Sequence, residues 1–563
     1  MKRYFSISKS VLLAAAALFV LGSCQDTWDE HYSFKETESK YPVAKLAETL
    51  NEVSGFSKFY EALRTTQICD KNGYPLDETY LELLMEDQFM TVFAPSDAAD
   101  VDWALYTKKG KSAAEHKEVG EKFLENHIAR FKNSVTSDTV KVTMLNGKIY
   151  TIMPAGIEGK SYHGDDLNIR CSNGVLHCID GYLNYLPNLY QYLTTAPEYK
   201  SIFGDWFASF TVKELDPYES VAGGLNENGE IWYVDSVTYE SNILMSNYGR
   251  IISEDSTYNI VMPSPTLWDT VYNRIAKSFV YAERALNNDS LQQFYTRTTM
   301  MTDLFYSMNP KVQRYYPDSV LSTLYSAAEN RREGVAYHIF GQPNAANGIF
   351  GMASSTVKCS NGEIFIIDEW PFQDSLTYLR PIKLEAESVS NLNGFIAKQQ
   401  AVSVAGDDTL KNPIQVMRIS QEGVKNWTAK LYLFDNLKGK YRVKFVMAPN
   451  SVDGLPNYIH PTVAYSMPDG TSKTLMDSAR IVQQEIIPGS GMFIEQKINF
   501  YMINNMNKLD TIDVGVIDVP YCNYDMLQSK LSVTLVSGVN ERNSDRYSSE
   551  IWLDCIILDP IVE

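Results

Sequence analysis

The stretch RCSNGVLHCID, residues 170–180, recurs as KCSNGEIFIID at residues 358–368. Each copy reads as a strand, a tight Ser-Asn-Gly turn and a second strand, because Asn and Gly tolerate the positive φ that a short hairpin needs. Working outward, Thr91-Val92-Phe93-Ala94-Pro95-Ser96 parallels Asn259-Ile260-Val261-Met262-Pro263-Ser264. Both predict an apolar strand ended by proline, with the serine capping a following helix. Further upstream, Leu46, Leu50, Phe56 and Phe59 match Leu189, Leu193, Tyr199 and Ile202 at the same mutual spacings. The offsets between copies are 143, 168 and 188 residues. They grow in order, as expected of a second copy that kept the sequence of elements and gained insertions. Two homologous domains in tandem follow.

The first copy, residues 43–187, resembles a fasciclin domain. Thr91 to Asp97 resembles the family's first signature, and Glu125-Asn126-His127-Ile128 resembles its second, with Thr143 to Ile152 as the strand pair that follows. Asn173 to Asp180 resembles the closing hairpin. The second copy, residues 188–372, diverges: no counterpart of Asn126-His127-Ile128 is found, and Phe365 stands where His177 would be. The resemblance implies compact α+β units of surface-anchored proteins that bind proteins or glycans, with no enzymatic activity. His127 sits at the end of an amphipathic pattern (Val119, Phe123), which favours a hydrogen-bonded structural histidine over a ligand.

From about residue 375 to 563 the texture changes. Short alternating runs appear at 429–434, 440–447, 498–502, 511–519, 530–536 and 551–558, separated by Gly/Pro/Asn/Asp turns. That pattern predicts an all-β sandwich or jelly roll. Leu384-Glu385-Ala386-Glu387, the run from Leu437 to Phe445 and the final Glu550 to Pro560 resemble strands of galactose-binding-type jelly rolls, common as carbohydrate-binding modules. In some such modules glutamates placed like Glu385 and Glu387 join a structural cation site; an exposed strand pair is the plainer reading. The expected fold class is therefore multidomain, two α+β fasciclin-like domains followed by this sandwich.

At the other end, Lys2 and Arg3 precede an apolar run from Val11 to Leu21. It is too short to span a bilayer, which takes roughly 20 residues, and it suits a signal peptide. Leu21-Gly22-Ser23-Cys24 resembles a lipoprotein signal-peptidase site, making residues 1–23 the signal, Cys24 the lipidated residue and 24–42 a linker. An ordinary thiol after an ordinary secretory signal fits that tight placement less well. Asp26, Asp29 and Glu30 resemble the surface-export signal of Bacteroidota lipoproteins. Ten Asp-(Ser/Thr) tripeptides, among them those at Asp138, Asp235 and Asp255, resemble O-glycosylation acceptors of the same phylum. These features place the chain at the outer membrane, on its exposed side.

A net charge of −19 sets nucleic acid and anionic lipid headgroups aside as partners. Besides Cys24, the cysteines 69, 171, 178, 359, 522 and 555 are sparse and never in C-x-x-C spacing, so isolated buried thiols are expected. No nucleophile elbow, zinc-protease motif, phosphate loop or dinucleotide fingerprint occurs. No catalytic residue, cofactor or metal ligand is assigned. Two functions of different class remain. One is an accessory lipoprotein that holds glycan or peptide beside a SusC/SusD-type transporter. The other is an adhesin or structural envelope protein that binds proteins through its fasciclin-like pair.

Overall fold

A computed structural model describes residues 41–70, 72–215, 221–225, 231–235, 238–282, 288–310, 318–323, 338–386, 396–402, 414–475, 480–486, 493–498, 502–524 and 531–562. The chain divides into two compact units, one formed by residues up to 192 with 251–257 and 358–362, the other by the remainder. No helix among the described residues is long and apolar enough to cross a membrane.

In the first unit, α1 (Leu46–Glu52) and α2 (Ser57–Thr65) pack on a sheet of β1 (Met90–Pro95), β2 (Ile128–Arg130), β3 (Ile169–Cys171) and β4 (Gly174–Ile179). Its order is β2-β1-β4-β3, and β1 runs parallel to β4. Both central strands are buried along their whole length, which explains why they read as continuous apolar runs rather than alternating ones. A helix over Ala113–Val119 continues as one π-turn through Gly120–Leu124 and delivers the chain to Asn126 and His127.

The second repeat has the same plan, with β5 (Tyr258–Pro263), β6 (Phe305–Ser307), β7 (Ser355–Cys359) and β8 (Gly362–Ile367) in the order β6-β5-β8-β7. The main-chain wiring is copied too. Phe93 N–H donates to the His127 carbonyl as Val261 N–H donates to that of Leu304, and Ser96 pairs with Ile179 as Ser264 pairs with Ile367. Asp303-Leu304-Phe305 therefore occupies the place of Asn126-His127-Ile128. The counterpart that the sequence did not reveal exists, without its side chains.

The serine expectation holds only in part. Ser264 sits at the N-cap of a helix over Pro265–Ala276, but its hydroxyl makes no cap bond. Ser96 enters a turn, and the next helix, Trp103–Tyr106, is capped by Asp102. Asp97 instead caps α2 from a distance, accepting from the backbone N–H groups of Ser57 and Lys58.

The remainder of the second unit contains a two-sheet β-sandwich. One sheet holds β9 (Ile382–Glu385), β10 (Ile396–Val402), β11 (Ile414–Ser420), β13 (Gly439–Met447), β16 (Asp510–Val519) and β18 (Ile551–Pro560). The other runs β12 (Thr428–Leu433), β17 (Leu531–Ser537), β14 (Tyr458–Ser466), β15 (Ser472–Leu475), with Met502–Ile503 paired to β14. Alternation on β12 and β13 turns Leu431, Leu433, Val443 and Phe445 inward onto Val463, Val533 and Ile556. Residues 499–501 of the expected run at 498–502 lie outside the described residues, as do Cys24, the signal segment and Glu387.

Candidate functional site

The two outer faces of the sandwich differ in chemistry. On the six-stranded sheet the outward residues of β13 are Lys440, Arg442 and Lys444. Lys440 lies opposite Asp518, Arg442 is 2.6 Å from Asp513, and Lys444 is 2.7 Å from Asp559. Such ladders of exposed ion pairs are solvated surface and contribute little.

The other sheet presents a neutral face. Directly opposed residues of antiparallel strands share a side, so the register fixes the rows. One row runs Tyr432, Ser532, Ala464, Thr474 across four strands. The next runs Lys430, Thr534, Thr462, and a third Thr428, Val536, His460. Tyr432 is 50% exposed at the edge, while Thr534, Thr462, Ala464 and Thr474 are half-buried and Ser532 forms the floor. With strands about 4.8 Å apart, this floor of small side chains is about 14 Å wide. Its one cation, Lys430, lies 5.1 Å from the Tyr432 ring.

Chemically the face offers one flat aromatic surface and a band of hydroxyls that both donate and accept. Among the described residues these three rows contain no Asp or Glu. At the sandwich end, Tyr458 and Tyr547 stack at 4.8 Å beside a buried polar network. In it Asn457 donates to the carbonyls of Ser548 and Glu550, and Asn450 to the Ser548 hydroxyl.

The expected site residues fall as follows. Glu385 clusters with Asp554 and Cys555, because a bulge in β18 between the partners of Val446 and Met447 brings both toward it. Calcium takes six to eight oxygens. Here burial, reinforced by Asp554, pushes the Cys555 thiol far up, and Lys383 already sits 2.8 Å from Glu385. Among the described residues this set does not fit a hard cation.

His127 and His177 are fully buried. His127 accepts from Leu183 N–H through Nε2 at 2.9 Å, which leaves Nδ1–H to donate to the Phe123 carbonyl at 2.7 Å. His177 accepts from Asn168 N–H through Nδ1 and donates from Nε2 to the Asn133 carbonyl. Burial holds both at about 4, so they are neutral and fully occupied by the fold. All six described cysteines are free thiols, and Cys69 alone is not buried. Of the Asp-(Ser/Thr) acceptors, Thr139, Ser375 and Thr511 are exposed, whereas Ser236, Thr409 and Ser478 lie outside the described residues.

The neutral face escaped the sequence reading. β14 was not expected as a strand, since Pro461 and a mixed pattern obscure it, whereas the run at 429–434 was, and it forms β12.

No family model matches this chain, and no curated protein matches it. Among solved structures it is similar to a family 35 carbohydrate-binding module from Clostridium thermocellum, at 10% identity and TM-score 0.18, over 32% of this chain and 99% of that one. It is similar to a xylan-binding domain of Paenibacillus barcinonensis at 12% identity and TM-score 0.18, over 33% of this chain and 96% of that one. A domain pair from the insect cell adhesion molecule fasciclin I aligns at 10% identity and TM-score 0.19, over 57% of this chain and 98% of that one. The fold assignment stands on the strand orders and hydrogen bonds described above.

Proposed function

We propose that this chain is a non-catalytic, lipid-anchored binding protein of the outer membrane, whose C-terminal sandwich holds neutral glycan for uptake by a SusC/SusD-type system. The observation that carries the glycan reading is the row Tyr432-Ser532-Ala464-Thr474, an uncharged floor beside an exposed ring, whereas the central strand of the other sheet turns Lys440, Arg442 and Lys444 outward. Sugars present C–H faces that stack on an aromatic ring and hydroxyls that pair with Ser and Thr. In a chain with a net charge of −19, three described rows without Asp or Glu suit an uncharged ligand.

The anchor and the transporter partnership rest on the Leu21 to Cys24 segment and on the resemblance of the sequence to surface lipoproteins. A glycan array probed with the full mature chain tests the reading. Binding to neutral glycans is expected, and Tyr432→Ala is expected to weaken it by about tenfold or more, the scale of one lost stacking contact. No binding by a folded sample, or equal binding by Tyr432→Ala, would remove the glycan assignment.

A further inference from the structure

Phe131 combines two unusual properties. It is a bulky residue at φ 67°, in the left-handed region, and its side chain is 68% exposed. Such a conformation costs on the order of 1–3 kcal/mol and persists only where the surroundings impose it. Here the Phe131 N–H donates to the Phe89 carbonyl at 3.1 Å, and the Phe131 carbonyl accepts from the Thr91 hydroxyl at 2.8 Å. Phe89 is itself 46% exposed, and the Lys132 ammonium lies 3.8 Å from its ring centre. Two aromatic rings and a cation are thus held at one end of the first repeat.

That end is where the chain from the N-terminus joins the domain. Ser172 N–H donates to the Ala44 carbonyl, Leu46 N–H to Asn173 Oδ1, and Met90 N–H to the Asn173 carbonyl. Ala44, Asn173 and Met90 therefore adjoin, and Phe89 is one residue from Met90. Sixteen residues lie between Cys24 and Tyr41, a span of roughly 60 Å at most when fully extended. Basic groups gather beside the rings: Arg170 lies close enough to Lys132 to oppose its charge and Arg130 is exposed, while of the exposed acids at this end, Glu86 and Asp87, Asp87 is ion-paired with Lys45.

We propose that this end of the first repeat is a bilayer-contact face: Phe89 and Phe131 dip into the lipid interface, and Lys132 meets the headgroup phosphates. Exposed rings enter the interface while a long cationic side chain reaches back to the headgroups. The two rings are too few to hold the protein on a membrane unaided, so the face works with a tether, and in this respect the inference rests on the lipid-anchor reading. It gives the anchor an orientation, with the first repeat lying on the surface that holds it.

The test separates the two ideas. The mature chain from Gln25 onward, with an N-terminal hexahistidine tag, is placed on vesicles of phosphatidylethanolamine and phosphatidylglycerol carrying a nickel-chelating lipid. This supplies a tether independent of Cys24. Amide hydrogen exchange over residues 85–92 and 129–133 is expected to slow by about tenfold or more, the scale of burying one ring, relative to the same chain free in buffer. A Phe89→Ser/Phe131→Asn variant, in which Asn suits the left-handed site, is expected to lose that protection and keep its exchange elsewhere. Unchanged exchange in the tethered wild type, or equal protection in the variant, would overturn the contact face. Mass spectrometry of the membrane-extracted full chain reports separately whether Cys24 carries lipid.

Discussion

Lys148 and Glu254 stand 106 residues apart in sequence, and their Nζ and Oε1 atoms are 2.7 Å apart. Lys148 comes from the hairpin that follows Ile128 in the first repeat, and Glu254 from the second. The ammonium also donates to Gln191 Oε1 at 3.0 Å and to the Ser360 hydroxyl at 2.9 Å, so all three of its protons are used. Burial pushes this lysine downward and Glu254 opposes the shift. A side chain 2% exposed, held by three partners from the second repeat, makes the first compact unit a product of both repeats.

Lys148→Met is therefore expected to destabilise the first unit by about 3 kcal/mol, because it leaves the Glu254 carboxylate largely buried without its cation. Lys148→Met combined with Glu254→Leu removes both charges and is expected to recover most of the loss. Urea unfolding of the full chain, followed by tyrosine and tryptophan fluorescence, measures both. A single variant as stable as the wild type would show that the contact is not formed in solution.

Asn173 and Asn361 make the same prediction twice. Asn173 accepts from Leu46 N–H and donates to the carbonyls of Leu84 and Glu86. Asn361 accepts from Leu189 N–H and donates to the carbonyls of Ile251 and Ser253. Alanine at either position strands three backbone groups, at about 1 kcal/mol each. Losses near 3 kcal/mol in both variants, read from denaturant midpoints, are expected. A large loss at one position only would break the equivalence of the two hairpins.

These asparagines also show why the tandem fold was legible. Neither asparagine takes the positive φ expected of the turn; instead each Asn side chain ties three distant backbone groups, and a Cβ at Gly174 would fall 2.1 Å from the Met90 carbonyl oxygen, so the same letters recur. The middle of the repeat was illegible for the converse reason. What Asp303-Leu304-Phe305 shares with Asn126-His127-Ile128 is a main-chain bond from the central strand, which any side chain permits. The neutral face of the sandwich was hidden because Tyr432, Ser532, Ala464 and Thr474 come from four strands, and small residues carry no signature along the chain.

The two buried histidines set a pH limit on the first repeat. Their folded values near 4 lie below the ordinary value of about 6.5, so between these the unfolded chain binds protons that the folded one refuses. Stability is full above about pH 6.5 and falls as the pH drops toward 4, by up to about 3 kcal/mol per histidine. Urea midpoints taken across that range are expected to decline, and His177→Gln is expected to flatten the decline. A native-state titration near pH 6.5 of the signals that His127→Gln or His177→Gln removes would contradict the buried, neutral assignment.

Ala464 offers the cleanest probe of the neutral face. It lies between Ser532 and Thr474 in the row led by Tyr432, is half-buried on the outer side, and has neighbours turned inward that build the core. A tyrosine there leaves those inward neighbours in place and keeps strand propensity, so stability is expected to change by less than about 1 kcal/mol. The ring would stand where the second partner of a stacked sugar must lie, while Tyr432 itself stays intact. Loss of glycan binding at unchanged melting temperature would place the ligand across the row, running over the strands. Retained binding with Tyr432→Ala still impaired would instead confine the ligand to the edge strand, where Lys430 and Phe434 flank the ring.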